Sequence, residues 1–142
     1  MSDFDLAKDL IKNGEYACVI IKNGEIIYTS KERGIFPLFE AKEILKIDSR
    51  GASLADRIVG KAAAMIAVES GIISIHGQVM SEKAVKYIQS HEIGYSYDKW
   101  TEYIKNREKT GMCPVETRAM TTDDYKELEI KVRDFLKSTG VI

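Results

Sequence analysis

A chain of 142 residues, 44% hydrophobic and 30% charged, has the composition of one compact domain around one core, spanning residues 1–142. Its 21 Lys and Arg balance 22 Asp and Glu, so no basic surplus draws it to nucleic acid or to an anionic membrane surface. No stretch approaches the ~20 apolar residues of a membrane span.

The first residues, Met1-Ser2-Asp3-Phe4-Asp5, lack the basic start and apolar run of a secretory signal. Two cysteines, Cys18 and Cys113, are too few for a disulfide framework in a short secreted chain. A reducing cytoplasm is therefore the expected setting.

Asp3 to Lys12 carries Phe4, Leu6, Ala7, Leu10 and Ile11 at helical spacing, with Asn13-Gly14 as its stop. Tyr16 to Lys22 is apolar and β-branched, and Asn23-Gly24 joins it to Glu25–Ser30, the signature of a two-residue hairpin. Residues 31–52 mix Gly34, Pro37 and Gly51 with apolar side chains and predict a loop with one irregular helix. Ser53, three residues before Asp56, reads as the capping box of a helix running to Glu69 and stopping at Gly71. That helix would contain the small segment Gly60-Lys61-Ala62-Ala63-Ala64, where the Gly costs about 1 kcal/mol of helix propensity.

Ile72–His76 reads as a buried strand and Ser81–Ser90 as the next helix, with Ala84, Val85 and Ile88 on one face. Ile93–Tyr97 and Trp100–Lys105 read as two short strands, too close for a parallel crossover, which places the last strand antiparallel to its predecessor. Thr121-Thr-Asp-Asp124 predicts the cap of a closing helix with Tyr125, Leu128, Val132, Phe135 and Leu136 inward. The element order predicts an α/β fold of three layers, α/β/α, on a five-stranded mixed sheet.

Three strings, Asp56-Arg-Ile-Val-Gly-Lys-Ala-Ala-Ala64, Asn106-Arg107 and Cys113-Pro-Val-Glu116, resemble those of a family of prokaryotic domains of unknown function placed in the cytidine-deaminase-like superfamily. The resemblance implies the cytidine-deaminase-like fold. Deaminases of that fold carry a His or Cys followed by Glu at the start of the helix after the hairpin, and Pro-Cys-x-x-Cys at the start of the helix after the next strand. Here the corresponding segments read Asp56–Ala64 and Gln78–Lys83, without a metal ligand of that kind in either place. Neither a metal nor another cofactor is expected.

The implied pocket lies between the Asp56–Ala64 segment and the Cys113 loop, rimmed by Arg33 and Arg107. Pro114 at the first position of a short helix would place Cys113 at its cap, where the helix dipole favours a thiolate, with Glu116 or Asp56 as acid or base. The competing structural reading has Cys113 in a turn and Glu116 reaching back to its N–H as a cap. Lys61, among small residues, can reach a phosphate or carboxylate unobstructed, and Asn106, Arg107 and Arg33 sit where strand ends meet loops. His76 and His91 have no ligand-spaced neighbour and read as structural, and Cys18 reads as core. Tyr95, Tyr97, Trp100 and Tyr103 have no basic patch beside them, so nucleic-acid binding is a minority reading.

The function expected first is metal-independent binding, with or without turnover, of a small anionic or nucleotide-like metabolite. A thiol enzyme using Cys113 and a non-catalytic interaction module are the alternatives. No membrane partner is expected, and the sequence leaves homo-oligomerisation open.

Overall fold

The computed structural model describes residues 1–142. Helix α1 (Asp3–Lys12) is capped by the Ser2 hydroxyl, which accepts from the Asp5 N–H. The hairpin of β1 (Cys18–Lys22) and β2 (Glu25–Ser30) turns at Asn23-Gly24, both at positive φ, as a tight turn between twisted strands requires. The irregular helix is α2 (Phe36–Phe39), which continues as a π-helical turn through Glu40–Ile44.

Residues 53–69 depart from the sequence expectation. Ser53–Val59 is a strand, β3, and the helix α3 (Lys61–Glu69) begins only after Gly60. The apparent capping box misled because a Ser and an Asp three apart fit an extended chain equally well, and partners on both sides decided the outcome. β3 pairs antiparallel with β1 and parallel with β4 (Ser74–Ser81), so it is the centre of the sheet. Gly60 is thus the residue before the helix, which removes the propensity cost that its mid-helix placement implied.

Helix α4 (Glu82–Ser90) is capped by Ser81, whose hydroxyl accepts from the Ala84 N–H. β5 (Gly94–Thr101) is one strand rather than two, and it runs parallel to β4, correcting the antiparallel last strand. Asp98-Lys99, which read as a break, stays extended because an edge strand can turn its charges to water. The crossover is α4, long enough for a parallel connection. A short helix, α5 (Pro114–Ala119), and a longer one, α6 (Tyr125–Ser138), follow.

The sheet order is β2-β1-β3-β4-β5. Helix α1 covers one face, where Ala7 and Ile11 meet Val19, Ile21 and Ala55. The main core lies on the other face, where Ile20, Leu54 and Ile75 meet α3, α4 and α6 through Met65, Ile66, Ile88 and Leu128. The predicted three layers and five-stranded mixed sheet are therefore present. No helix is long and apolar enough to cross a membrane.

Candidate functional site

The C-terminal ends of β3 and β4 lead directly into the N-termini of α3 and α4, and this is where polar groups converge. Gly60 offers α3 no side-chain cap. The cap comes from α5 instead. Glu116, 3% exposed, accepts through Oε1 from the Lys61 N–H at 3.3 Å and from the Ser81 hydroxyl at 3.1 Å. Ser81 in turn caps α4, so one carboxylate ties two helix starts together. Its Oε2 is buried with no hydrogen-bond partner in the protein. A Cβ at residue 60 would overlap that oxygen and press on Ile104, which explains a glycine whose φ of −95° any residue could adopt. Burial lifts the Glu116 carboxyl above the usual range, against the opposing pull of the Lys61 N–H and Ser81.

The Lys61 side chain leaves in the other direction. The residue is 8% exposed, and its Nζ lies 2.7 Å from Asp123 Oδ1 on the loop before α6. The ammonium holds the Asp123 carboxyl below the ordinary range, with His91 and Lys83 adding to the effect. These groups border an open cleft of about 320 Å³, lined also by Lys86, Tyr87 and Ser90. The Tyr87 and His91 rings lie 4.4 Å apart on its wall. A second cleft of about 150 Å³ shares Lys83 and is lined by Glu116, Tyr103, Met112 and Met120.

Other predicted residues sit elsewhere. Asp56 is not at a helix start but mid-strand in β3, opposite Cys18 of β1. Burial raises its carboxyl to about 7 against the Ile58 and Arg57 N–H groups, and pushes the Cys18 thiol well up. It lines neither cleft. Cys113 does precede α5, half-buried against the core, but its N–H donates to Ile104 O. Glu116 therefore does not reach back to it. Asn106 closes a surface turn, its Oδ1 accepting from the Thr110 N–H, while Arg107 and Arg33 are exposed and hydrogen-bond to nothing. Lys61 borders the first of these clefts and Arg107 borders neither. No three His, Cys, Asp or Glu side chains are grouped to hold a metal ion.

The sequence did not point to Ser81, Lys83, Lys86, His91 and Asp123. Lys83 and Lys86, three residues apart on α4, and His91 just after it line the same cleft, and the two lysines carry only the ordinary look of a solvated face.

The match to known families spans nearly the whole arrangement. The model of a domain of unknown function, DUF1893, covers residues 6–136. The chain belongs to the DUF1893 family. A crystal structure of a DUF1893 family protein from Thermotoga maritima superposes with a TM-score of 0.82 at 26% identity, over 92% of this chain and 88% of that one. A diaminohydroxyphosphoribosylaminopyrimidine deaminase/5-amino-6-(5-phosphoribosylamino)uracil reductase, also from Thermotoga maritima, gives a TM-score of 0.44 at 20% identity over 66% of this chain and 34% of that chain. No curated protein matches the chain.

Proposed function

We propose that this DUF1893 member binds a small anionic metabolite in the cleft between α3, α4 and the Asp123 loop, using side-chain charge and no metal. The observation that carries this reading is the Lys61 ammonium: a nearly buried cation whose one ionic partner is an aspartate side chain 79% exposed. Lys83, Lys86 and His91 stand around the same opening, so the cleft presents more cationic than anionic groups. A phosphate or carboxylate entering it would replace Asp123 on Lys61. The tilted Tyr87–His91 pair on the wall suits a flat group beside the anion, which favours a nucleotide-like ligand over a bare oxyanion.

Turnover, where it occurs, would draw on Glu116, which borders the adjoining cleft at Lys83 with a carboxyl raised by burial. Cys113 lines neither cleft, and α5 behind it is six residues long, so the thiol-enzyme reading has no supporting contact. Both cysteines are free thiols, consistent with a cytoplasmic setting.

The test is thermal denaturation with inorganic phosphate and with a nucleoside monophosphate. A ligand bound only by the native state raises the melting temperature logarithmically with its concentration above Kd, which corresponds to about 2.7 kcal/mol of apparent stability at a hundredfold excess over Kd. The Lys83→Ala/Lys86→Ala double variant changes two exposed side chains, keeps the fold and loses that rise. An equal rise in both proteins would remove the cleft from consideration.

A further inference from the structure

On the opposite face of the sheet, away from both clefts, β4 and β5 bring together a second polar group. Parallel pairing sets His76 beside Ser96. The His76 Nδ1 lies 2.6 Å from Ser96 Oγ, and its Nε2 lies 3.4 Å from Asp98 Oδ2. We propose that Ser96, His76 and Asp98 form a nucleophilic site for acyl transfer from small esters or thioesters.

Four features support this assignment. His76 is 3% exposed while the Asp98 side chain is 65% exposed and Ser96 half-buried, so the base is fixed inside and the nucleophile stands between it and solvent. The Asp98 carboxylate, 3.4 Å from Nε2, draws the ring proton to that nitrogen, which leaves Nδ1 unprotonated to accept the Ser96 hydroxyl proton; such triads are recognised by geometry and roles rather than chain position. Helix α1 covers β1, β3 and part of β4 but leaves β5 uncovered, with Phe4 and Lys8 at the border. Finally, β5 is an edge strand: Gly94 donates its N–H to Ile73 O, so the alternating N–H groups of Tyr95 and Tyr97 point to the open edge. The Tyr97 N–H next to Ser96 can then donate to an oxyanion.

In the reaction, Ser96 Oγ bonds to the acyl carbon and its proton passes to His76 Nδ1. The ester C–O or thioester C–S bond breaks, and the leaving group takes that proton. Water, deprotonated by the same Nδ1, then cleaves the acyl–Ser96 bond, giving the free acid, and the proton returns to Ser96 Oγ. Asp98 acts as a positioning residue through His76.

The experiment incubates the full chain with p-nitrophenyl acetate and locates the acetyl group by peptide mass mapping, with Ser96→Ala and Asp98→Asn in parallel. The expected result is acetylation at Ser96, absent in Ser96→Ala and slowed about 100-fold in Asp98→Asn, because the amide no longer fixes the imidazole tautomer. Burial holds the His76 imidazole below its ordinary pKa against the opposing pull of Asp98 from β5, and Lys8 facing it from α1 adds to the lowering. The wild-type rate should therefore rise with pH and reach its plateau below neutrality, a profile that a merely structural network would not produce. Acetylation confined to lysine, tyrosine or cysteine, or an unchanged rate in Asp98→Asn, would overturn the proposal. Should Ser96→Ala fail to fold, the exposed Asp98→Asn variant decides alone.

Discussion

Glu116 and Asp123 both hold Lys61, one at its backbone N–H from inside the fold and one at its ammonium from solvent, and burial separates what the two acids do. The inner carboxylate caps one helix start, accepts from the residue that caps another, and sits where a side chain at residue 60 would collide with it. It is a constituent of the fold. The outer carboxylate makes one contact across an open cleft, and a pair exposed on one side gains little Coulomb energy in water. A ligand can take its place. The contrast shows how one residue serves both core and cleft.

Gly60→Ala tests the inner side hardest. The new Cβ must drive Glu116 out of its cap and leave the α3 N–H groups unpaired, at a cost of about 2–3 kcal/mol measured by denaturant unfolding. In a Glu116→Ala background the same change should cost less than about 1 kcal/mol, because only the milder approach to Ile104 remains. An equal cost in both backgrounds would separate Gly60 from Glu116. Ser81→Ala comes next, losing the α4 cap and the bond to Glu116 for about 1–2 kcal/mol.

The pH dependence of the two acids has opposite sign. Glu116 is raised in the native state, so the unfolded chain loses its proton first, and stability falls as pH rises from about 4.3 through the native value. Asp56, raised to about 7, adds a fall of the same direction between about 4 and 7. Asp123 is lowered, so its contribution is present above the ordinary aspartate range and lost as pH falls through its native value. Stability measured against pH in Glu116→Gln and Asp56→Asn should each show a shallower fall on the alkaline side than the wild type. A slope unchanged in Glu116→Gln would mean that its carboxyl is not raised.

The same contrast separates what the sequence disclosed from what it hid. The hairpin at Asn23-Gly24, α1, α4 and α6 were legible because turn residues and 3.6-residue spacing act locally. β3 was not, since Ser53–Val59 becomes a strand through pairing with β1 and β4, neither of which is near it in the chain. β5 was split by Asp98-Lys99, whose charges are tolerated only at a sheet edge. For the site, Lys61 and Glu116 stood out in the family-like strings, but their meeting across 55 residues is tertiary. Asp123, in the segment read only as the cap of the closing helix, is brought to Lys61 by the docking of α6 on α3 and α5. Arg33 and Arg107 matched a pattern of strand ends but line neither of the two clefts.

Calorimetric titration of inorganic phosphate into the wild type and into Asp123→Asn tests the displaceable outer acid most directly. Removing the negative charge leaves the Lys61 ammonium without its ionic partner in the cleft, so phosphate should bind Asp123→Asn more tightly, by a factor of about 5, because the competing carboxylate is gone. The variant should melt close to the wild type in the absence of phosphate. Saturable binding that is equal or weaker in Asp123→Asn, or no saturable binding to either protein, would contradict an anion site built on Lys61.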